Sequence, residues 1–220
     1  MTNINEEFIE EYLRKLVPKK KDFLIKMETY AEENHVPIVE PEVAQLIKVL
    51  LKSKQAKTIL EIGTAIGYSA LLMCDALDGK CHITTIERRE DMVQLASEFI
   101  SDSKYKDSIK IIHGDANQVL DDISEKFDLI FMDAAKGQYM EFFNKSMDLL
   151  NPGGIIIADN VLFRGMVASD KLVNRRKITI VKRLREFLKY INEVEGFESA
   201  IIPIGDGVAL IYKEDLHEED

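Results

Sequence analysis

The stretch Glu61-Ile62-Gly63-Thr64-Ala65-Ile66-Gly67-Tyr68-Ser69 closes the apolar run 57–62 (KTILEI) and opens a helix-like stretch, 67–77. Glycines between a strand and a helix let the backbone turn tightly and approach a ligand, and the helix N-terminus offers unpaired N–H donors. The same strand-then-helix unit repeats outward from this loop. Strand-like runs stand at 82–87 (HITTIE), 109–113 (IKIIH), 127–132 (FDLIFM) and 154–158 (GIIIA), with helical spacing over 90–103, 115–124 and 138–150 between them. These runs do not alternate strictly between apolar and polar, which suits strands covered on both faces of a parallel sheet. Repeated strand–helix units with right-handed crossovers give a doubly wound α/β fold. After a helix over 174–193, the runs 197–203 and 207–213 meet at Gly205-Asp206-Gly207. Strands so closely connected pair antiparallel across a tight turn. The expected sheet is therefore seven-stranded, mostly parallel, and ends in an antiparallel hairpin.

Upstream of the loop, residues 5–16 and 19–34 show helical spacing (Phe8, Tyr12, Leu16, then Phe23, Met27, Tyr30), and 41–53 resumes a helix with Pro41 suited to its first turn. The 220 residues fit one domain: a helical segment 1–53, the α/β core 57–213 and an acidic tail 214–220. A composition of 46% hydrophobic and 31% charged residues is ordinary for a soluble globular enzyme. No apolar run approaches the roughly 18 residues that span a bilayer. The opening MTNINEEFIEEYLRKL is acidic and amphipathic, unlike a secretory leader, so a cytoplasmic protein without membrane contact is expected. Cys74 and Cys81 have neither the number nor the spacing of a zinc site or a disulfide framework, and read as reduced core residues. A net charge of −10 excludes a protein coated in basic surface, although the charge is unevenly spread.

A dinucleotide fingerprint would read G-x-G-x-x-G after the first strand. Here Ala65 stands where the middle glycine is needed, which disfavours pyrophosphate binding. Glu87 ends the second strand, where a carboxylate can accept hydrogen bonds from both hydroxyls of a ribose. Asp115, in His113-Gly114-Asp115-Ala116, follows the third strand, where it can address an adenine amino group. Taken singly, the glycines fit a plain turn and the two acids fit helix caps. Their common place at the carboxyl ends of consecutive strands, the usual binding edge of such a sheet, favours one nucleoside site.

The fourth strand ends Met132-Asp133-Ala134-Ala135-Lys136, and the fifth ends Ala158-Asp159-Asn160. Two carboxylates and an amide oxygen at one sheet edge are hard ligands suited to Mg²⁺, with positions left for water or substrate oxygens. Each of them alone also fits a polar strand end or a cap. A hydroxyl is a weak nucleophile, and a coordinated divalent ion lowers its pKa and fixes its direction.

The E-I-G-T-A-x-G-Y-S loop, the acid at the second strand end, the Gly-Asp-Ala and the closing hairpin resemble the class I S-adenosylmethionine-dependent methyltransferases, a Rossmann-like fold. That resemblance implies S-adenosylmethionine as cofactor, its methionine end on Gly63 and Gly67, its ribose on Glu87 and its adenine beside Asp115. It extends the cofactor contacts to Val39, Glu61, Tyr68, Ser69, Ala116 and Asp133. The pattern D-A-x-K-x-x-Y followed by a strand-terminal D-N resembles the catechol and caffeoyl-CoA O-methyltransferase family. The resemblance implies metal ligation by Asp133, Asp159 and Asn160 and a catalytic Lys136 that accepts or guides the hydroxyl proton.

A metal of this kind selects acceptors with two neighbouring oxygens, such as a catechol or 5-hydroxyuridine. Downstream of Asn160, Arg164, Lys171, Arg175, Arg176, Lys177, Lys182, Arg183, Arg185 and Lys189 face only Asp170 and Glu186 over the same stretch. That reversal of sign fits a phosphate-contacting footprint, or a solvated helix face, or a subunit contact. Together with His35-Val36-Pro37-Ile38 and Asn174-Arg175-Arg176-Lys177, the chain is similar to bacterial tRNA 5-hydroxyuridine methyltransferases. The resemblance implies the tRNA anticodon stem-loop as partner, contacts from Arg164, Arg175, Arg176 and Lys177, and a homodimer. Stacking on an extruded base would fall to Tyr139, Phe163 or Arg164. The rival readings are a small-molecule catechol-type O-methyltransferase, a nicotinamide oxidoreductase, and a non-catalytic RNA-binding protein that keeps the fold.

Overall fold

The computed structural model describes residues 4–215, so residues 216–220 of the acidic tail lie outside the described residues. Three N-terminal helices, α1 (Glu7–Leu16), α2 (Asp22–Glu33) and α3 (Pro41–Lys54), precede the sheet. The sheet then alternates β1 (Thr58–Ile62), α4 (Tyr68–Ala76), β2 (His82–Glu87), α5 (Glu90–Ser101), β3 (Ile109–His113), α6 (Ala116–Asp122), β4 (Phe127–Met132), α7 (Tyr139–Leu149) and β5 (Leu150–Ala158). Helix α8 (Ile178–Ile191) and the strands β6 (Phe197–Ile202) and β7 (Val208–Lys213) complete it.

The strands lie in the order β3-β2-β1-β4-β5-β7-β6. β1 to β5 pair in parallel, and β7 runs antiparallel between β5 and β6. The inner strands β1 and β4 lack alternation because both faces are covered. Ile59, Leu129, Phe131 and Ile157 pack under α2, α3 and α4, while their neighbours Leu60, Ile130, Met132 and Ile156 pack under α6, α7 and α8. A fully buried aliphatic side chain contributes about 1.5–3 kcal/mol, so neither face tolerates a polar row. Strand β5 begins four residues ahead of the expected run, at Leu150, across an irregularity in its pairing with β4.

The helices before the sheet differ in what they bury. α2 turns Leu24, Met27 and Ala31 into the core. α1 does the opposite: Phe8, Tyr12 and Leu16 are 70%, 61% and 60% exposed. What holds α1 is polar. Arg14 bonds Glu42 (Nε to Oε2, 3.1 Å) and Glu40 (2.8 Å) at the start of α3, and Asn5 donates to the Pro203 carbonyl (2.8 Å). Cys74 and Cys81 are free and buried. Among the described residues no helix is long and apolar enough to cross a membrane.

Candidate active site

The sequence of strands reverses direction between β1 and β4, and a cleft of about 680 Å³ opens there at the carboxyl ends of the strands. Such a reversal leaves adjacent loops running to opposite sides of the sheet, which parts them. Val39, Gly63, Tyr68, Ser69, Glu87, Asp115, Ala116 and Asp133 line the cleft, as do Lys136, Asp159, Asn160 and Arg164. Glu61 and Gly67 are not on its wall, and Arg175, Arg176 and Lys177 lie beyond it.

Gly63 shows why the loop is built as it is. It adopts φ +105°, and a Cβ there would sit 2.3 Å from the Asp133 carbonyl oxygen. The loop and the end of β4 therefore touch backbone to backbone. Gly67 (φ +81°) begins α4 facing Ala96 and Ile100 of α5, so it supports the wall instead of lining it. Ala65, where a dinucleotide loop needs glycine, holds φ +46° and donates its N–H to Glu87 Oε2 (3.0 Å). Glu87 Oε1 accepts from the Arg89 N–H (2.9 Å), so both oxygens are anchored while their remaining lone pairs stay able to accept. Asp115 is indeed a helix cap, accepting from Asn117 N–H (2.9 Å), and lines the cleft as well.

Glu61 is wholly buried beneath the loop and takes a hydrogen bond from Thr85 Oγ1 (2.6 Å), which itself lies 2.6 Å from Thr64 Oγ1. Burial pushes its carboxyl up to about 8, against the opposing pull of the Ser69 and Thr85 hydroxyls. Tyr68 lines the cleft, and its hydroxyl donates to Glu28 of α2, which Lys20 also contacts. Helix α2 is thus tied to the glycine loop.

Asp133 and Asp159 end neighbouring parallel strands, and Asp159 is 1% exposed. Burial raises both carboxyls, Asp159 to about 8 with the Asp133 charge adding to it, and the Lys136 ammonium works the other way. Asp159 Oδ1 accepts from the Asn160 N–H (2.6 Å), and Lys136 Nζ donates to Asn160 Oδ1 (2.7 Å). Among the described residues no group of three His, Cys, Asp or Glu side chains is arranged to hold a metal. The donor set here is two carboxylates and an amide. It fits a hard divalent cation, because Asp133 and Asp159 stay raised even with the Lys136 ammonium beside them, and a further positive charge would let both ionise.

Tyr139 corrects one expectation. Its ring is 1% exposed and packs edge-on against Phe187, and its hydroxyl donates to the Asp159 carbonyl (2.8 Å). It braces the end of β5 and is not available to stack on a base. Phe163 and Arg164 do line the cleft, with Lys136 and Lys177 Nζ at 6.0 and 5.6 Å from the Phe163 ring centroid. The basic stretch also shrinks on inspection. Arg183 donates to the Gly137 carbonyl (3.0 Å), Arg185 pairs with Asp170 (2.8 Å), and Lys182 and Lys189 stand near Glu186 and Glu193. Arg175 and Arg176 remain exposed. Sequence reasoning missed Asp206 on the cleft wall, since Gly205-Asp206-Gly207 reads as a turn and nothing more.

A family model described as O-methyltransferase matches residues 10–214. Catechol O-methyltransferase of Niastella koreensis is 31% identical over 176 residues, 77% of this chain and 80% of that protein. Caffeoyl-CoA O-methyltransferase of Populus kitakamiensis is 31% identical over 182 residues, 80% of this chain and 76% of its own. Among solved structures, the SAH-bound methyltransferase PaMTH1 of Podospora anserina superposes with a TM-score of 0.86 at 26% identity, covering 95% of each chain.

Proposed function

This chain belongs to the O-methyltransferase family, and from that premise we propose that it methylates the 5-hydroxyl of 5-hydroxyuridine at the wobble position of tRNA, giving 5-methoxyuridine. That it is an S-adenosylmethionine-dependent O-methyltransferase follows from the family and its cofactor-bound neighbours. The observation that carries the tRNA acceptor is a line of cations that starts in the cleft and leaves it. Arg164 is on the wall, Lys177 stands over Phe163, and Arg175 and Arg176 are exposed just before α8. Phosphates either side of an extruded base meet such a line, and Phe163 offers the base a π face.

In this reading Glu87 takes the ribose hydroxyls, Asp115 borders adenine, and the Gly63 loop receives the methionine end. A divalent cation held by Asp133, Asp159 and Asn160 would lower the pKa of the acceptor hydroxyl and fix its neighbouring carbonyl. The oxygen–carbon bond forms as the sulfur–carbon bond breaks, and Lys136, anchored on Asn160, guides the departing hydroxyl proton. Most of the acceleration then comes from holding the two reactants in line.

The relatives named for catechol and caffeoyl-CoA favour a second reading, a small-molecule acceptor in the same site. Methyl transfer from labelled S-adenosylmethionine to tRNA bearing 5-hydroxyuridine, with Mg²⁺ or with EDTA, separates the two. Under the tRNA reading, Arg175→Ala with Arg176→Ala weakens tRNA binding about tenfold and flattens its salt dependence by about two phosphates. Turnover of catechol with no labelling of tRNA would end that reading and leave the site chemistry intact.

The outward stripe Phe8, Tyr12 and Leu16 supports a homodimer built through α1. Large apolar side chains spaced along one exposed helix face mark contact surfaces. The double variant Phe8→Glu and Leu16→Glu is expected to convert a dimer into a monomer in sedimentation, and a wild-type monomer would remove the proposal.

A further inference from the structure

The β6–β7 turn does more than reverse the chain. It lies against the segment that follows β5, which carries Asn160, Phe163 and Arg164 into the cleft. That segment is an unusual piece of backbone. Asn160, Phe163 and Arg164 hold φ of +56°, +45° and +55°, followed by Gly165 at +75°. Side chains crowd the backbone in this left-handed region, so a run of non-glycine residues there persists only when its surroundings fix it.

The turn supplies the fixing. Val161 N–H donates to the Gly207 carbonyl (2.9 Å), and Leu162 N–H donates to the Asp206 carbonyl (3.0 Å). Arg164 N–H donates to Asp206 Oδ1. The fit is close on both sides. A Cβ on Gly207 would lie 2.4 Å from Leu162 Cγ, and one on Gly205 would lie 2.7 Å from Val43 Cγ2 of α3. The turn is therefore wedged between α3 and the loop 160–165, and the Asp206 side chain reaches that loop's backbone.

We infer that Asp206 is a positioning residue whose carboxylate holds the strained loop 160–165, and so sets the placement of Phe163 and Arg164 for the acceptor. The role needs a hydrogen-bond acceptor and does not need a negative charge. It rests on the methyltransferase reading of the cleft, but not on the identity of the acceptor.

The test is amide hydrogen exchange of the segment 160–167, compared with strand β4, for wild type, Asp206→Ala and Asp206→Asn. Loss of one hydrogen bond to the loop backbone corresponds to a change of up to about tenfold. Asp206→Ala should speed exchange of 160–167 by about that factor while β4 stays protected, and Asp206→Asn should recover most of the protection. In methyl transfer, the alanine variant should raise KM for whichever of catechol or 5-hydroxyuridine tRNA the wild type uses. Its affinity for S-adenosylmethionine by calorimetry should stay within about twofold. Unchanged exchange in Asp206→Ala would overturn the inference. So would equal loss of loop protection in both variants, which would assign the effect to charge. Silence with both acceptors would count against the acceptors named above and leave the exchange result to decide.

Discussion

Replacing Asp159 by Asn is expected to reduce methyl transfer on the order of a thousandfold and, in the absence of divalent cations, to raise the melting temperature at alkaline pH. The two effects have one cause. Asp159 is buried beside Asp133, and burial together with that neighbour lifts its carboxyl from 3.8 to about 8. A carboxyl whose folded pKa is raised contributes stability that is complete below the ordinary carboxylate range. That contribution is lost progressively as pH climbs toward 8, because the unfolded chain ionises first. Asparagine does not ionise, so the variant gains on the wild type across that window. Its Oδ1 still accepts from Asn160 N–H, which keeps the local fold. Mg²⁺ should reverse the order, stabilising the wild type and leaving the variant unmoved. Melting curves at pH 5 and pH 8.5, with Mg²⁺ or EDTA, read all four corners. A wild type indifferent to Mg²⁺ in both activity and melting would remove the metal from the mechanism.

Gly63→Ala should be the most damaging single change in the glycine loop, costing about 3 kcal/mol of stability or more. Two independent penalties coincide at that residue: φ of +105° and a new Cβ 2.3 Å from the Asp133 carbonyl oxygen, which is backbone and has little freedom to yield. Any relief moves the end of β4, and with it Asp133. Cofactor affinity and acceptor turnover should therefore fall together. Gly67→Ala is the control. Its φ of +81° carries a similar backbone strain, but the nearest atom is Ile100 Cδ1 at 3.3 Å, the flexible tip of a side chain. Urea midpoints should separate the two variants by about 1–2 kcal/mol, with Gly63→Ala the weaker. Equal midpoints would show that the close approach of the two loops is not limiting.

Much of the fold was legible because local and tertiary signals agree. Strands β2 to β5 are apolar runs that end in or lead directly into a polar residue at the binding edge, and α4 to α7 start within a few residues of that edge. The order of the strands was not legible. That β7 inserts between β5 and β6 is decided by which edge the returning chain can cover, a tertiary matter. The early start of β5 escaped notice because Asn151-Pro152-Gly153-Gly154 reads as a turn, yet the sheet absorbs it as an irregular pairing with β4.

Glu87, Asp115, Asp133, Asp159 and Asn160 line one cleft because topology brings strand ends together, and that shared edge was legible from the succession of strand-like runs in the sequence. Tyr139 was misjudged for want of a signal. One turn of helix decides whether an aromatic faces the cleft or the core, and the D-A-x-K-x-x-Y spacing does not say which. The outward stripe of α1 misleads in the opposite sense. Phe8, Tyr12 and Leu16 have the periodicity of a core-facing helix, and only the ion pairs of Arg14 show that the polar face is the one docked.

The reversal of strand order between β1 and β4 gathers the cleft lining from three separate stretches of chain. Residues 37–40 precede α3, Ile62 to Ala116 run along the ends of β1 to β3, and Asp133 to Asp206 come from the ends of β4 and β5 and from the β6–β7 turn. Under the roles proposed above, drift in the last stretch would change the acceptor side of the cleft, yet the contact of Gly63 with the Asp133 carbonyl ties that drift to the loop proposed to receive the methyl donor. Acceptor preference can then vary only within the limits that this contact sets.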